Sequence, residues 1–182
     1  KFYRAATTRG IKPIVGADVR VVEADRHGHT GIATLLVQDR IGYLNLCQLL
    51  SRSFLEGRER GGQPRLFSPW LRGSCEGLIV LLGRTSGVGE ALENGRPNLA
   101  RERLNEWIRL FPDRTCIALE RLGKDGEQAL ETAFLRLAVD ASVPVVASND
   151  VRFLDQQDYF AHEARVCIHQ GRLLDDKRRA RE

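Results

Sequence analysis

Residues Val143–Leu154 read V-P-V-V-A-S-N-D-V-R-F-L, and the reading of the fold turns on them. Val143, Val145 and Val146 form a short β-branched run followed by Ala147, the pattern of a fully buried strand in a parallel sheet. Pro144 is tolerated because it stands near the strand's start, where no ladder donor is needed. Ser148-Asn149-Asp150 then favours a turn, since such side chains bond their own backbone. A helix is predicted from about Asp155 to His169. In a parallel α/β fold the side chains at the C-terminal ends of strands face the functional mouth, and Asp150 stands at that point. Pattern alone favours a plainer reading of Asp150, as a turn or N-cap aspartate.

Working outward, residues 1–9 read as the end of a helix closed by Gly10. Ile11–Val22 reads as a strand broken near Gly16-Ala17-Asp18, where glycine suggests a bulge or a close backbone approach. Residues 23–31 form a polar loop or hairpin turn, and Ala33–Val37 a second strand. Ile41–Leu55 has apolar residues at helical spacing (Leu44, Cys47, Leu50, Phe54), which predicts a helix. Gly57–Pro69, rich in Gly, Pro and Arg, reads as an exposed loop. Gly77–Gly83 is an apolar run bounded by glycines, a strand. Helices are predicted over Gly87–Glu93 and Leu99–Leu110, the latter ended by Pro112. A strand over Thr115–Leu119 and a helix over Glu127–Ala141 complete the series. Strands alternating with helices imply βαβ units and a mostly parallel sheet or barrel.

The 182 residues suit one domain with a sizeable core. No apolar run reaches spanning length and no signal-peptide pattern is present, so a cytoplasmic location with no membrane association is expected. Cys47, Cys75, Cys116 and Cys167 are far apart and never in C-x-x-C, which argues against a zinc knuckle or redox dithiol and for buried free thiols. The net charge of +4 permits nucleic-acid contact without demanding it. Part of it lies in Lys177–Arg181, which reads as a solvated run. The chain contains no methionine and opens on Lys1-Phe2-Tyr3-Arg4-Ala5-Ala6, which reads as mid-helix. It is therefore expected to be a piece of a longer polypeptide, a single domain (1–182) cut at both ends.

No complete catalytic set emerges. Gly83–Gly89 (G-R-T-S-G-V-G) lies between strand and helix, where backbone amides can cradle phosphate. It matches neither G-x-x-x-x-G-K-[ST] nor G-x-G-x-x-G, so a plain turn is the better reading. His27 and His29 form H-x-H, but in a charged, Gly-rich loop without a rigid support for a metal. His162-Glu163 and His169 fall on one side of the last predicted helix without forming H-E-x-x-H, and read as structural or surface residues. No Ser or Cys has a nucleophile setting.

Several stretches nevertheless resemble the polymerase-and-histidinol-phosphatase (PHP) domain of bacterial DNA polymerase III alpha subunits, in the style of proteobacterial replicative enzymes. They are Phe2–Ala6 running into Gly10–Asp18 (G-I-K-P-I-V-G-A-D), Gly42–Leu46 (G-Y-L-N-L), Gly77–Leu82 (G-L-I-V-L-L), Pro144–Leu154 and Ala161–Arg165 (A-H-E-A-R). The resemblance implies a distorted (β/α)7 barrel, here lacking its first strands, with metals at the barrel's mouth in metal-binding members. Their first ligands, in H-x-H and T-D-H motifs, would lie before Lys1. The acidic ligand falls at Asp18, shorter than the usual Glu. The histidine of the next strand falls near Ile32, and the positions around the Thr115–Gly123 strand fall at Ala118 and Leu122. None of those three side chains can bind metal. In N-D-x-H the aspartate is Asp150, but the histidine position is Arg152, a permanent cation that would supply in place the charge a metal brings.

The resemblance therefore implies a degenerate domain with no catalytic residue, no metal and no cofactor of its own. Magnesium would serve the parent polymerase, which adds deoxynucleotides to DNA. The implied role is structural, together with docking of the proofreading exonuclease subunit among other holoenzyme subunits. DNA would be met through the parent chain. The competing readings are an active metal-dependent phosphoesterase or 3′–5′ exonuclease, and direct nucleic-acid binding through the loop around Arg58–Arg65.

Overall fold

A computed structural model describes residues 1–22, 30–58 and 62–176. The chain divides into two compact units, Lys1–Ser148 and Asn149–Glu182. In the first, helix α1 (Phe2–Thr8) ends at Gly10, whose φ of 71° is the left-handed conformation glycine adopts freely. Strand β1 (Gly16–Val22) is shorter than the expected Ile11–Val22 run and starts at the glycine thought to break it. The close approach inferred there is real: a Cβ on Gly16 would lie 2.7 Å from both the Leu35 carbonyl oxygen and a Leu36 methyl. Strand β2 (Thr30–Val37) returns antiparallel, pairing Gly16 with Leu36 through to Val22 with Thr30.

Strand β3 (Leu66–Phe67) pairs parallel with β1 and corrects the reading of 57–69 as exposed loop, since Leu66 is buried. Two residues are too short a run for periodicity to reveal. Strands β4 (Leu78–Leu82), β5 (Thr115–Leu119) and β6 (Val145–Ala147) are mutually parallel, and β4 also pairs antiparallel with β2. The order is β3-β1-β2-β4-β5-β6, and among the described strands only β2 runs against the rest, so the sheet is mostly parallel as expected. Strand β2 is the exception, antiparallel to both β1 and β4. With six helices among the described elements, the α/β class and an incomplete PHP-type barrel hold.

Strand β6 is not the fully buried strand its β-branched run suggested. Val145 is 38% exposed, because β6 is the edge of the described sheet and pairs only with β5. A run of valines reports a pleated environment and not its position within the sheet.

One sheet face carries the core. Val19 and Val21, Ala33 and Leu35, Leu78, Val80 and Leu82, and Ile117 alternate inward, as strand geometry requires. They belong to the same cluster as Leu46 and Leu49 of helix α2 (Arg40–Leu55), Leu104 and Trp107 of α4 (Pro97–Leu110), and Phe134 and Leu137 of α5 (Glu127–Ala141). Each such side chain contributes about 1.5–3 kcal/mol on burial.

On α2, Gly42, Leu46, Leu49 and Ser53 are buried and Leu50 packs partly buried against the core, while Leu44 and Phe54 are 52% and 57% exposed and Cys47 is exposed. Leu44, Cys47, Leu50 and Phe54 share a helical spacing, which does not by itself say which side faces the core. The N-cap does. Asp39 accepts a hydrogen bond from Gly42 N at 2.9 Å, and Gly42 packs backbone to backbone against Gly77.

Helix α3 (Gly87–Glu93) follows β4 through the Gly83–Gly89 turn. Ser86 caps it, accepting from Gly89 N at 3.2 Å and donating to the Gly83 carbonyl at 2.6 Å. Gly31 of β2 packs against the backbone of Gly87. A Cβ on Gly89 would overlap the Arg84 and Gly83 carbonyl oxygens, whereas one on Gly83 would meet only ordinary contacts. Among the four cysteines, Cys75 and Cys167 are buried, Cys116 is intermediate and Cys47 is exposed, so burial does not hold for all of them.

The second unit holds a single 3-10 turn (Gln156–Asp158) and α6 (Tyr159–Gln170) among its described residues. His162, Glu163 and Cys167 are buried there, and the Phe153 ring lies against Tyr159 and His162. His169, one helical side with His162 by angle, is exposed in the last turn. The structural reading of His162 fits its burial. The pair His27 and His29, and the run Lys177–Arg181, lie outside the described residues.

Candidate functional site

Among the described residues of the first unit, the sheet face opposite the core is partly exposed. Its side chains are Asp18 and Arg20 on β1, Ile32, Thr34 and Leu36 on β2, Ile79 and Leu81 on β4, and Cys116 on β5, each exposed or partly so. Register sets Asp18, Thr34, Leu81 and Cys116 in one row, and Arg20 opposite Ile32 in the next. Asp18 lies inside β1, four residues before Val22. Thr34 Oγ1 donates to Asp18 Oδ1 at 2.5 Å.

Ile32 stands near the start of β2, beside the C-terminal end of β4, where its N–H donates to the Thr85 carbonyl at 2.8 Å. Ala118 is the penultimate residue of β5 and is 7% exposed. Leu122 follows in the loop at 37% exposed, its N–H donating to Glu127 Oε1 at 2.5 Å. Gly123 N donates to the other Glu127 oxygen at 3.0 Å, so this carboxylate is committed to holding the loop after β5. A pocket opens here, lined by Arg84, Ala118, Glu120, Leu122, Lys124 and Phe134 among others. Its charges are largely spoken for: Arg84 pairs with Glu93 at 2.7 Å, and Arg121 grips Glu131 through two nitrogens at 3.0 and 2.6 Å. The Arg121 guanidinium holds the Glu131 carboxyl below its ordinary range.

In the second unit Arg152 Nη2 donates to Asp150 Oδ2 at 2.7 Å, with both side chains about half exposed. At that exposure the pair contributes at most about 1 kcal/mol. Among the described residues, no three His, Cys, Asp or Glu side chains converge as a metal site would need.

Comparison with known proteins gives this geometry its context. The PHP domain family matches residues 1–121. The chain belongs to the PHP domain family. Over its full length it is also similar to proteins named DNA polymerase III subunit alpha: 48% identical over 181 residues to that of Xylella fastidiosa, 40% over 182 to that of Pseudomonas aeruginosa, and 42% over 185 to that of Escherichia coli K12. The chain spans about 15–16% of the length of these relatives.

The metal cluster of metal-binding PHP domains does not fit the residues present. Ile32, Ala118 and Leu122 offer no ligand atom, Arg152 repels a cation, and one oxygen of each surviving carboxylate, Asp18 and Asp150, already has a protein donor. Thr34 and Glu127 escaped the reading of the sequence. Thr34 is one polar residue in an apolar strand, and only the register of β1 on β2 reveals its partner. Glu127 carried a signal, an acidic side chain at the first position of a helix after Gly126.

Among the described residues no helix is long and apolar enough to cross a membrane.

Proposed function

We propose that the chain is the PHP portion of a replicative DNA polymerase III alpha subunit, that it hydrolyses nothing itself, and that it serves as a structural module on which the proofreading exonuclease subunit docks. Similarity to alpha subunits along the entire chain carries this reading. The donor set at the PHP positions supports the non-hydrolytic part. Metal-dependent hydrolysis needs a hydroxide activated by correctly placed ions, and the side chains at positions 32, 118, 122 and 152 hold none. The parent polymerase would use magnesium and meet DNA and the other holoenzyme subunits through regions beyond this segment.

The test uses the full-length protein that contains the chain. It should extend a primed template with deoxynucleotides and magnesium, and retain the cognate exonuclease subunit in a pull-down. Loss of exonuclease binding when the PHP segment is replaced by that of a distant relative, with extension preserved, would locate docking here. Unchanged binding would remove the docking role. Manganese- or zinc-dependent release of nucleotides from single-stranded DNA, abolished by Asp150→Ala, would replace the whole reading with an active phosphoesterase.

A further inference from the structure

We infer that Asp18, the position where metal-binding members of the family place an acidic ligand, serves in this chain as a strut of the sheet, and that Thr34 is the residue that positions it. The inference rests on the metal-free reading above and extends it to a residue outside the family's ligand pattern. Asp18 and Thr34 are directly opposed across the antiparallel β1–β2 pair, so both side chains rise from the same spot on the partly exposed face. The hydroxyl of Thr34 has one proton, and it is given to Asp18 Oδ1 at 2.5 Å, within the short range of hydrogen bonds to a carboxylate. The nearest positions on that face are Gly16 and Arg20 along β1, Ile32 and Leu36 along β2, and Leu81 across on β4. None of them carries a group that could share a metal with Asp18. A carboxylate on a paired strand with a fixed donor beside it acts as an acceptor between strands. The bond adds a side-chain link to the seven-residue β1–β2 ladder, beside a β3 that pairs with β1 over only two residues.

Hydrogen exchange in the full-length protein, followed in peptides covering residues 16–22 and 30–37, tests this. Thr34→Val keeps the β-branched shape and removes only the hydroxyl. It should speed exchange roughly two- to tenfold, the worth of one ordinary hydrogen bond. Asp18→Ala should do the same, the double variant should exchange no faster than either single one, and Thr34→Ser should restore slow exchange. Unchanged exchange in Thr34→Val, or fully additive effects, would overturn the strut while leaving the metal-free reading intact. Slowing of wild-type exchange by added manganese or zinc, absent in Asp18→Ala, would make Asp18 a ligand and overturn both.

Discussion

Gly42 and Gly77 touch backbone to backbone: a Cβ on either would overlap the other residue's main chain. This contact seats the first turn of α2 against the turn that leads into β4. Gln38 N adds a hydrogen bond to the Gly77 carbonyl at 2.9 Å, and the Asp39 side chain caps Gly42 N at the same place. Gly77 also has a φ of 69°. Gly42→Ala should therefore destabilise the protein by about 1–3 kcal/mol through overpacking. Gly77→Ala should cost more, because backbone strain is added to the clash. Urea denaturation of the two variants checks the order, and a neutral Gly42→Ala would mean the helix can shift without loss.

Ser86 is a second local anchor. Its hydroxyl both caps α3 and holds the Gly83 carbonyl. Ser86→Ala should lower stability by about 1 kcal/mol. Added phosphate should leave the variant and the wild type equally unaffected, since the turn is committed to packing. A phosphate-dependent rise in melting temperature of the wild type alone would revive the anion-cradle reading of Gly83–Gly89.

The thiols should react unequally. Burial pushes the Cys75 thiol up to about 11, with the nearby Arg114 cation only partly offsetting it, whereas Cys47 is exposed on α2. Iodoacetamide at pH 8 should modify Cys47 and spare Cys75 in the folded protein, as read by peptide mass. The raised value also has a sign for stability. The folded state holds the Cys75 proton more tightly than the unfolded chain, so this contribution is complete below pH 9 and is lost as pH climbs toward 11, with a size on the order of 2 kcal/mol. Cys75→Ala should flatten that alkaline decline.

The Asp150–Arg152 pair should matter little to folding. Both side chains are about half exposed, so Arg152→Ala should change stability by less than about 1 kcal/mol, with the difference shrinking in high salt. A larger, salt-insensitive loss would mean that Arg152 makes a buried contact of more weight than this pair.

Elements bounded by sequence punctuation were legible from the chain alone. Gly87–Glu93, Thr115–Leu119 and Glu127–Ala141 fall where glycine, proline and polar breaks placed them. What failed was long-range information. The strand Val145–Ala147 looks central by composition and is an edge among the described strands, because nothing in three residues encodes the sheet order. On α2 the apolar spacing does not say which side is buried, and a cap bond plus a glycine contact from a distant turn fix it. The same holds at the candidate site. Asp150 and Arg152 are two residues apart and their pairing could be anticipated, whereas Thr34 meets Asp18 only through strand register.

We propose above that this PHP domain carries no metal and hydrolyses no phosphoester. The most direct measurement is metal content, by plasma mass spectrometry, of the full-length protein after incubation with manganese, zinc and iron and removal of excess. The account predicts no stoichiometric metal that depends on Asp18 or Asp150. One or more equivalents retained by the wild type and lost in both Asp18→Ala and Asp150→Ala would contradict it.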